Sequence, residues 1–112
     1  MSSFSQKGLL GELEQLVLLA VMHQPDEAYA VSIRDEIESR TGIALARGSV
    51  YVTLDRLDRK GFVTSWMGEP TAERGGKAKR CFTLTPVGRR ALAAAESAVA
   101  RMRQGAPVRG ER

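Results

Sequence analysis

Cysteine is almost missing from this chain, with Cys81 the only one in 112 residues. A single sulfur excludes an internal disulfide and a thiolate zinc site, and a reducing cytoplasm is the expected compartment. On a strand, Cys81 reads as an inert small hydrophobe rather than a redox sensor. Histidine is equally scarce: His23 stands alone at a predicted helix end, where capping or solvation fits better than catalysis. Aromatic residues make up 5% of the chain, so the core must be mostly aliphatic. The longest apolar run, Leu16 to Met22, is far too short to span a bilayer. The segment from Met1 to Gly8 lacks the apolar stretch of a secretory signal. Glu12 and Glu14, two apart on a helix, do not face each other as an acid/base pair. Gly75-Gly76 lacks the spacing of a phosphate-binding loop. No nucleophile–base pair or metal constellation is left, so neither enzyme activity nor a cofactor nor a metal is expected.

The chain does have enough apolar residues, 43%, to fold as one small domain. A core this small gains from dimerisation, which adds buried area. The charge is divided unevenly. Residues 1–46 carry three basic and seven acidic side chains, a net of −4, whereas residues 47–112 carry fourteen basic and six acidic, a net of +8. The basic second half points to a polyanion partner such as nucleic acid, the alternative being a solvated, solubilising surface with no such partner.

Hydrophobic periodicity places four helices. In Leu9 to His23, Leu13, Leu16, Val17, Ala20 and Val21 recur at helical steps, and Leu18, Leu19 and Met22 extend the apolar face nearly all round. A helix apolar on every side must be buried on every side, which in a chain this short implies contact with a second subunit. Pro25 ends it. Tyr29 to Thr41 forms a second helix with Ala30, Val31, Ile33 and Ile37 inward and Gly42 as its C-terminal cap. A short connection, Ile43 to Ala46, leads to the third, which runs from Arg47 or Gly48 to Lys60. Its inner side carries Val50, Leu54 and Leu57, and its outer side Ser49, Tyr51, Val52, Asp55, Arg56 and Arg59.

Phe62 to Met67 and Lys79 to Leu84 read as two strands joined by a Gly- and charge-rich loop. In the second, Phe82 and Leu84 face one way and Cys81 and Thr83 the other. Thr85-Pro86 opens a fourth helix, a hydroxyl N-cap followed by proline at the first helical position. Along it Leu92, Ala95, Val99 and Met102 form an a/d seam of roughly two heptads. The expected organisation is a flexible N-terminus at 1–8, a winged helix-turn-helix domain at 9–84, a C-terminal dimerisation helix at 85–104 and a disordered tail at 105–112. The fold class is mainly α with a small β-hairpin.

This order of elements suits duplex DNA, since a helix fits the major groove and its outer face meets base edges. On helix 48–60 the candidate contacts are Arg47, Ser49, Tyr51, Val52, Asp55, Arg56 and Arg59. Arginine donates twice to guanine, serine reaches base or phosphate, and valine packs on a thymine methyl. Tyr51 fits either a phosphate hydrogen bond or a half-buried spacer. Asp55 fits acceptance from a cytosine amino group or, preferably, a salt bridge with Arg59 four residues on. On the basic wing at 69–80, Arg74, Lys77, Lys79 and Arg80 are candidates for phosphate contact. Leu13, Leu16, Val17 and Ala20 with Leu92, Ala95, Val99 and Met102 are the candidate dimerisation set. Trp66 is expected to pack under the hairpin, with stacking on a flat ligand between subunits as the alternative.

Several segments together resemble the PadR family of transcriptional regulators. Leu10-Gly11-Glu12-Leu13-Glu14-Gln15-Leu16-Val17-Leu18-Leu19 is similar to the family's opening helix, and Tyr29-Ala30-Val31-Ser32-Ile33 to the start of its second. Gly48-Ser49-Val50-Tyr51-Val52-Thr53-Leu54-Asp55-Arg56-Leu57 with Lys60-Gly61 resembles its recognition helix. Gly75-Gly76-Lys77-Ala78-Lys79-Arg80 with Phe82-Thr83-Leu84-Thr85-Pro86-Val87-Gly88 resembles its wing and the entry to its last helix. Cys81 departs from the pattern where an aromatic is more frequent, and Ala30 where glycine is. The resemblance implies a cytoplasmic homodimeric repressor on a palindromic operator, acting on its own gene or a neighbour, with the first and last helices of two subunits packed together. The short form implies a branch set beside transporter genes. An effector is open. The competing expectation is a winged-helix module that pairs proteins without touching DNA, against which the basic second half argues.

Overall fold

A computed structural model describes residues 9–70 and 78–107. The expectations for 1–8, for Arg74 and Lys77 in the wing tip, and for 108–112 lie outside the described residues. Among these described residues, four helices and three strands follow in the order α1 (Glu12–His23), β1 (Ala28–Tyr29), α2 (Ala30–Thr41), α3 (Arg47–Arg59), β2 (Val63–Met67), β3 (Arg80–Leu84) and α4 (Pro86–Arg103).

Local chemistry sets the ends of these elements. Glu14 reaches back to accept the Gly11 N–H at 2.9 Å at the head of α1, satisfying a donor that the helix leaves open. Ser32 does the same for the Tyr29 N–H at 3.0 Å at the head of α2. Gly42 closes α2 with φ 76°, a left-handed conformation that costs a glycine little. Thr85 caps α4 as its sequence suggests, its hydroxyl oxygen accepting from the Gly88 N–H at 3.0 Å. The same hydroxyl donates to the Gly61 carbonyl at 2.7 Å, fastening the start of α4 to the end of α3.

The sheet is antiparallel with order β1-β3-β2. The two-residue β1 adds a third strand to the expected hairpin, pairing Ala28 with Phe82 and Tyr29 with Cys81. Cross-strand rows follow from this register and from the alternation of side chains. Ala28, Phe82 and Ser65 share the face turned to the helices, and Tyr29, Cys81 and Trp66 share the other. Cys81 and Phe82 are both buried although they point to opposite faces.

One aliphatic core joins α1, α2, α3, the sheet and the first half of α4, with Leu18, Ile33, Leu54, Leu57 and Phe82 among its largest fully buried side chains. Each such side chain is worth about 1.5–3 kcal/mol of burial. The core also corrects the dimerisation set. Val17, Ala20, Leu92 and Ala95 are buried within the protomer itself. An apolar seam shows that a face is covered, not by which chain. Leu13 and Leu16 are half-buried against the core, whereas Val99 and Met102 are 59% and 82% exposed. Gly88 explains how α4 approaches so closely: a Cβ there would fall 2.1 Å from the Phe62 carbonyl oxygen.

Candidate nucleic-acid interface

α3 divides cleanly into two sides. Val50, Leu54 and Leu57 are completely buried, and Thr53 joins them by turning its hydroxyl onto the Ser49 carbonyl at 2.8 Å. That local bond lets a polar residue sit in the core at little cost. Arg47, Ser49, Tyr51, Val52, Asp55, Arg56 and Arg59 are all exposed. At the far end, Lys60 stands 3.0 Å from Glu14, tying α3 to α1. Burial raises the Glu14 pKa, but the Gly11 N–H and the Lys60 ammonium outweigh it and hold the carboxyl below its ordinary 4.5. Arg47, Arg56 and Arg59 have neither an ion pair nor a side-chain hydrogen bond among the described residues.

One side chain of α3 and two of the wing have other partners than expected. Asp55 pairs with Arg80 on β3 at 3.2 Å, not with Arg59 on its own helix. Arg80 extends its other nitrogen to Asp58 at 2.9 Å, and its guanidinium carbon lies 4.9 Å above the Phe82 ring. Half-exposed, its guanidinium is thus held by the protein's own side chains on α3 and β3. Lys79 is likewise turned inward: only 8% exposed, it pairs with Glu27 at 3.1 Å and lies 4.5 Å above the Tyr29 ring. The hydrogen bond from Lys79 to Glu27 raises its pKa, and its burial opposes this only in part.

Sequence reasoning missed Asp58. Its position three residues after Asp55 puts two carboxylates on one side of α3, and this was the available signal. Trp66 lies on the outer face of the sheet, 42% exposed, its indole N–H donating to the Thr83 hydroxyl at 3.0 Å. His23 Nδ1 lies 3.3 Å from Arg40 across the end of the α1–α2 contact, and Arg40 also pairs with Glu36 one turn earlier on α2. No group of three or more potential metal ligands occurs among the described residues.

Residues 18–94 match the family model described as the transcriptional regulator PadR-like family. The chain belongs to the PadR-like family. It is thus a DNA-binding transcription regulator of winged-helix type, in a family of regulators and not of enzymes. Solved structures share its fold. A PadR family transcriptional regulator from Eggerthella lenta is 22% identical with a TM-score of 0.66, over 84% of this chain and 81% of that one. A PadR family transcription regulator from Clostridium difficile is 18% identical with a TM-score of 0.69, over 84% and 93%. The Orc1 protein of Aeropyrum pernix, solved in complex with DNA, is 26% identical with a TM-score of 0.63, over 83% of this chain but 26% of that larger one. No curated protein sequence matches the regulator. Among its described residues, no helix is long and apolar enough to cross a membrane.

Proposed function

We propose that this PadR-like regulator acts as a cytoplasmic homodimeric repressor of its own or a neighbouring operon, a transporter operon included, on a palindromic operator. Each protomer lays α3 in a major groove and its wing along the adjacent backbone. One observation carries this reading: the exposed side of α3 presents Arg47, Arg56 and Arg59, none of them in an ion pair or side-chain hydrogen bond among the described residues, beside Ser49, Tyr51 and Val52. That mixture offers phosphate contacts, bidentate donors for guanine and an apolar contact for a thymine methyl. The helix is held for this task by its buried stripe of Val50, Leu54 and Leu57. In the wing tip, Arg74 and Lys77 supply further positive charge for phosphates.

The exposed end of α4, with Val99 and Met102, and the half-buried Leu13 and Leu16 of α1 are the apolar surface offered to a second copy. Two-fold pairing would set two α3 helices roughly one turn of DNA apart. The test is a mobility-shift titration on the DNA upstream of the regulator's own gene, together with selection of bound fragments from random duplexes. Binding that weakens steeply with salt and selects a two-fold repeat is the expected result. A folded dimer that shifts no duplex at low salt overturns the reading.

A further inference from the structure

Arg80 is held on three sides. Nη1 donates to Asp55 at 3.2 Å, Nη2 donates to Asp58 at 2.9 Å, and the guanidinium carbon stacks 4.9 Å from Phe82. Phe82 is itself fixed in the core at 2% exposure. The two carboxylates lie three residues apart on α3, so both project toward the same strand. Arg80 opens β3 and pairs with Met67, the last residue of β2, so it stands at the base of the wing, where the connecting loop leaves and returns. The shape of arginine matters here. A planar fork can serve two acceptors while stacking on a ring, and the point charge of lysine cannot.

We propose that Arg80, Asp55 and Asp58 form a bracket that fixes the wing relative to the recognition helix, and that Arg80 acts in DNA binding as a positioning residue rather than as a phosphate ligand. This rests on the DNA-binding reading above. The physical reason is pre-organisation. Helix and wing must meet one duplex at the same time, and a wing free to swing loses conformational freedom on binding that a bracketed wing has already lost on folding. The bracket's ion pairs are half exposed, so they contribute little to the stability of the domain. Their effect belongs in the affinity for DNA.

Two substitutions separate the bracket from a direct contact, because the alternatives predict opposite signs. Asp58→Asn removes a negative charge beside the binding face, which by simple electrostatics strengthens binding; a bracket predicts weakening. Arg80→Lys keeps the charge, so a phosphate contact predicts near-native affinity; a bracket predicts loss. The experiment measures affinity for a selected operator duplex at several salt concentrations, with a thermal melt of each variant. The expected result is about three- to tenfold weaker binding for both variants. Asp58→Glu should recover most of it, and the melting temperature and salt slope should barely move. A salt slope reduced by about one in Arg80→Ala, with Arg80→Lys near native, would make Arg80 a phosphate ligand and overturn the bracket. Wild-type binding with Asp58→Asn equal or tighter also overturns it and leaves the DNA-binding reading intact. A wild-type protein that binds no duplex overturns both.

Discussion

The ammonium of Lys60 and the carboxylate of Glu14, 3.0 Å apart, join the end of α3 to the first turn of α1. The Glu14 side chain is almost wholly buried, so the pair is partly shielded from solvent. Replacing the carboxylate by an amide keeps an oxygen for the Gly11 N–H but leaves Lys60 without its ion-pair partner.

Glu14→Gln should therefore lower unfolding stability at neutral pH, on the order of 1–2 kcal/mol. The pH dependence follows from the depressed pKa of Glu14. As pH falls, the unfolded chain takes up this proton first. The contribution of Glu14 is thus complete above the ordinary carboxyl value and is lost as pH falls through the lower folded value. Urea unfolding across the acid range should show a shallower loss in the variant than in the wild type.

Gly88→Ala should destabilise the domain by about 1–3 kcal/mol, since the new methyl meets the backbone of Phe62, which cannot step aside. Gly48→Ala on α3 is the counterpart. A Cβ there meets nothing within 4 Å, and φ is not positive. That variant should gain up to about 1 kcal/mol from better helix propensity. Thermal melts of the two should move in opposite directions.

Arg56→Ala should cost about 1–3 kcal/mol at a selected operator if the arginine reads a base. The loss on random duplex should be smaller. Equal losses on both would reassign Arg56 to the phosphates. Competition binding against both DNAs gives the comparison.

Val99→Asp with Met102→Asp should abolish the proposed dimer while leaving the single chain folded, because both side chains are already exposed. Leu92→Ala should behave in the reverse way, costing about 2–5 kcal/mol of protomer stability through the cavity it opens. Sedimentation with parallel denaturant melts distinguishes the two.

The helices were readable from sequence because their signals are local. Apolar residues three and four apart marked α3 with its inner Val50, Leu54 and Leu57, and the Thr85-Pro86 pair marked the start of α4. β1 was not readable. Two residues carry no periodicity, and their partners Phe82 and Cys81 lie more than fifty positions away. Long-range pairing also decided the charges. Spacing on the helix favoured Arg59 as the mate of Asp55, but the fold brings Arg80 to it across the wing. Glu27 claims Lys79 in the same way. The seam of α4 mixed two surfaces that no heptad can separate: Leu92 and Ala95 cover the protomer's own core, and Val99 and Met102 extend past it.

Cys81 sits at zero exposure in the middle strand, in one cross-strand row with Tyr29 and Trp66. As the chain's sole thiol, it makes the protein its own stopwatch. A sulfhydryl reagent in native buffer reaches this sulfur only when its cover on the outer face of the sheet, the segment at Gly68 included, moves aside, so the pace of labelling times local opening at the base of the wing without any introduced probe.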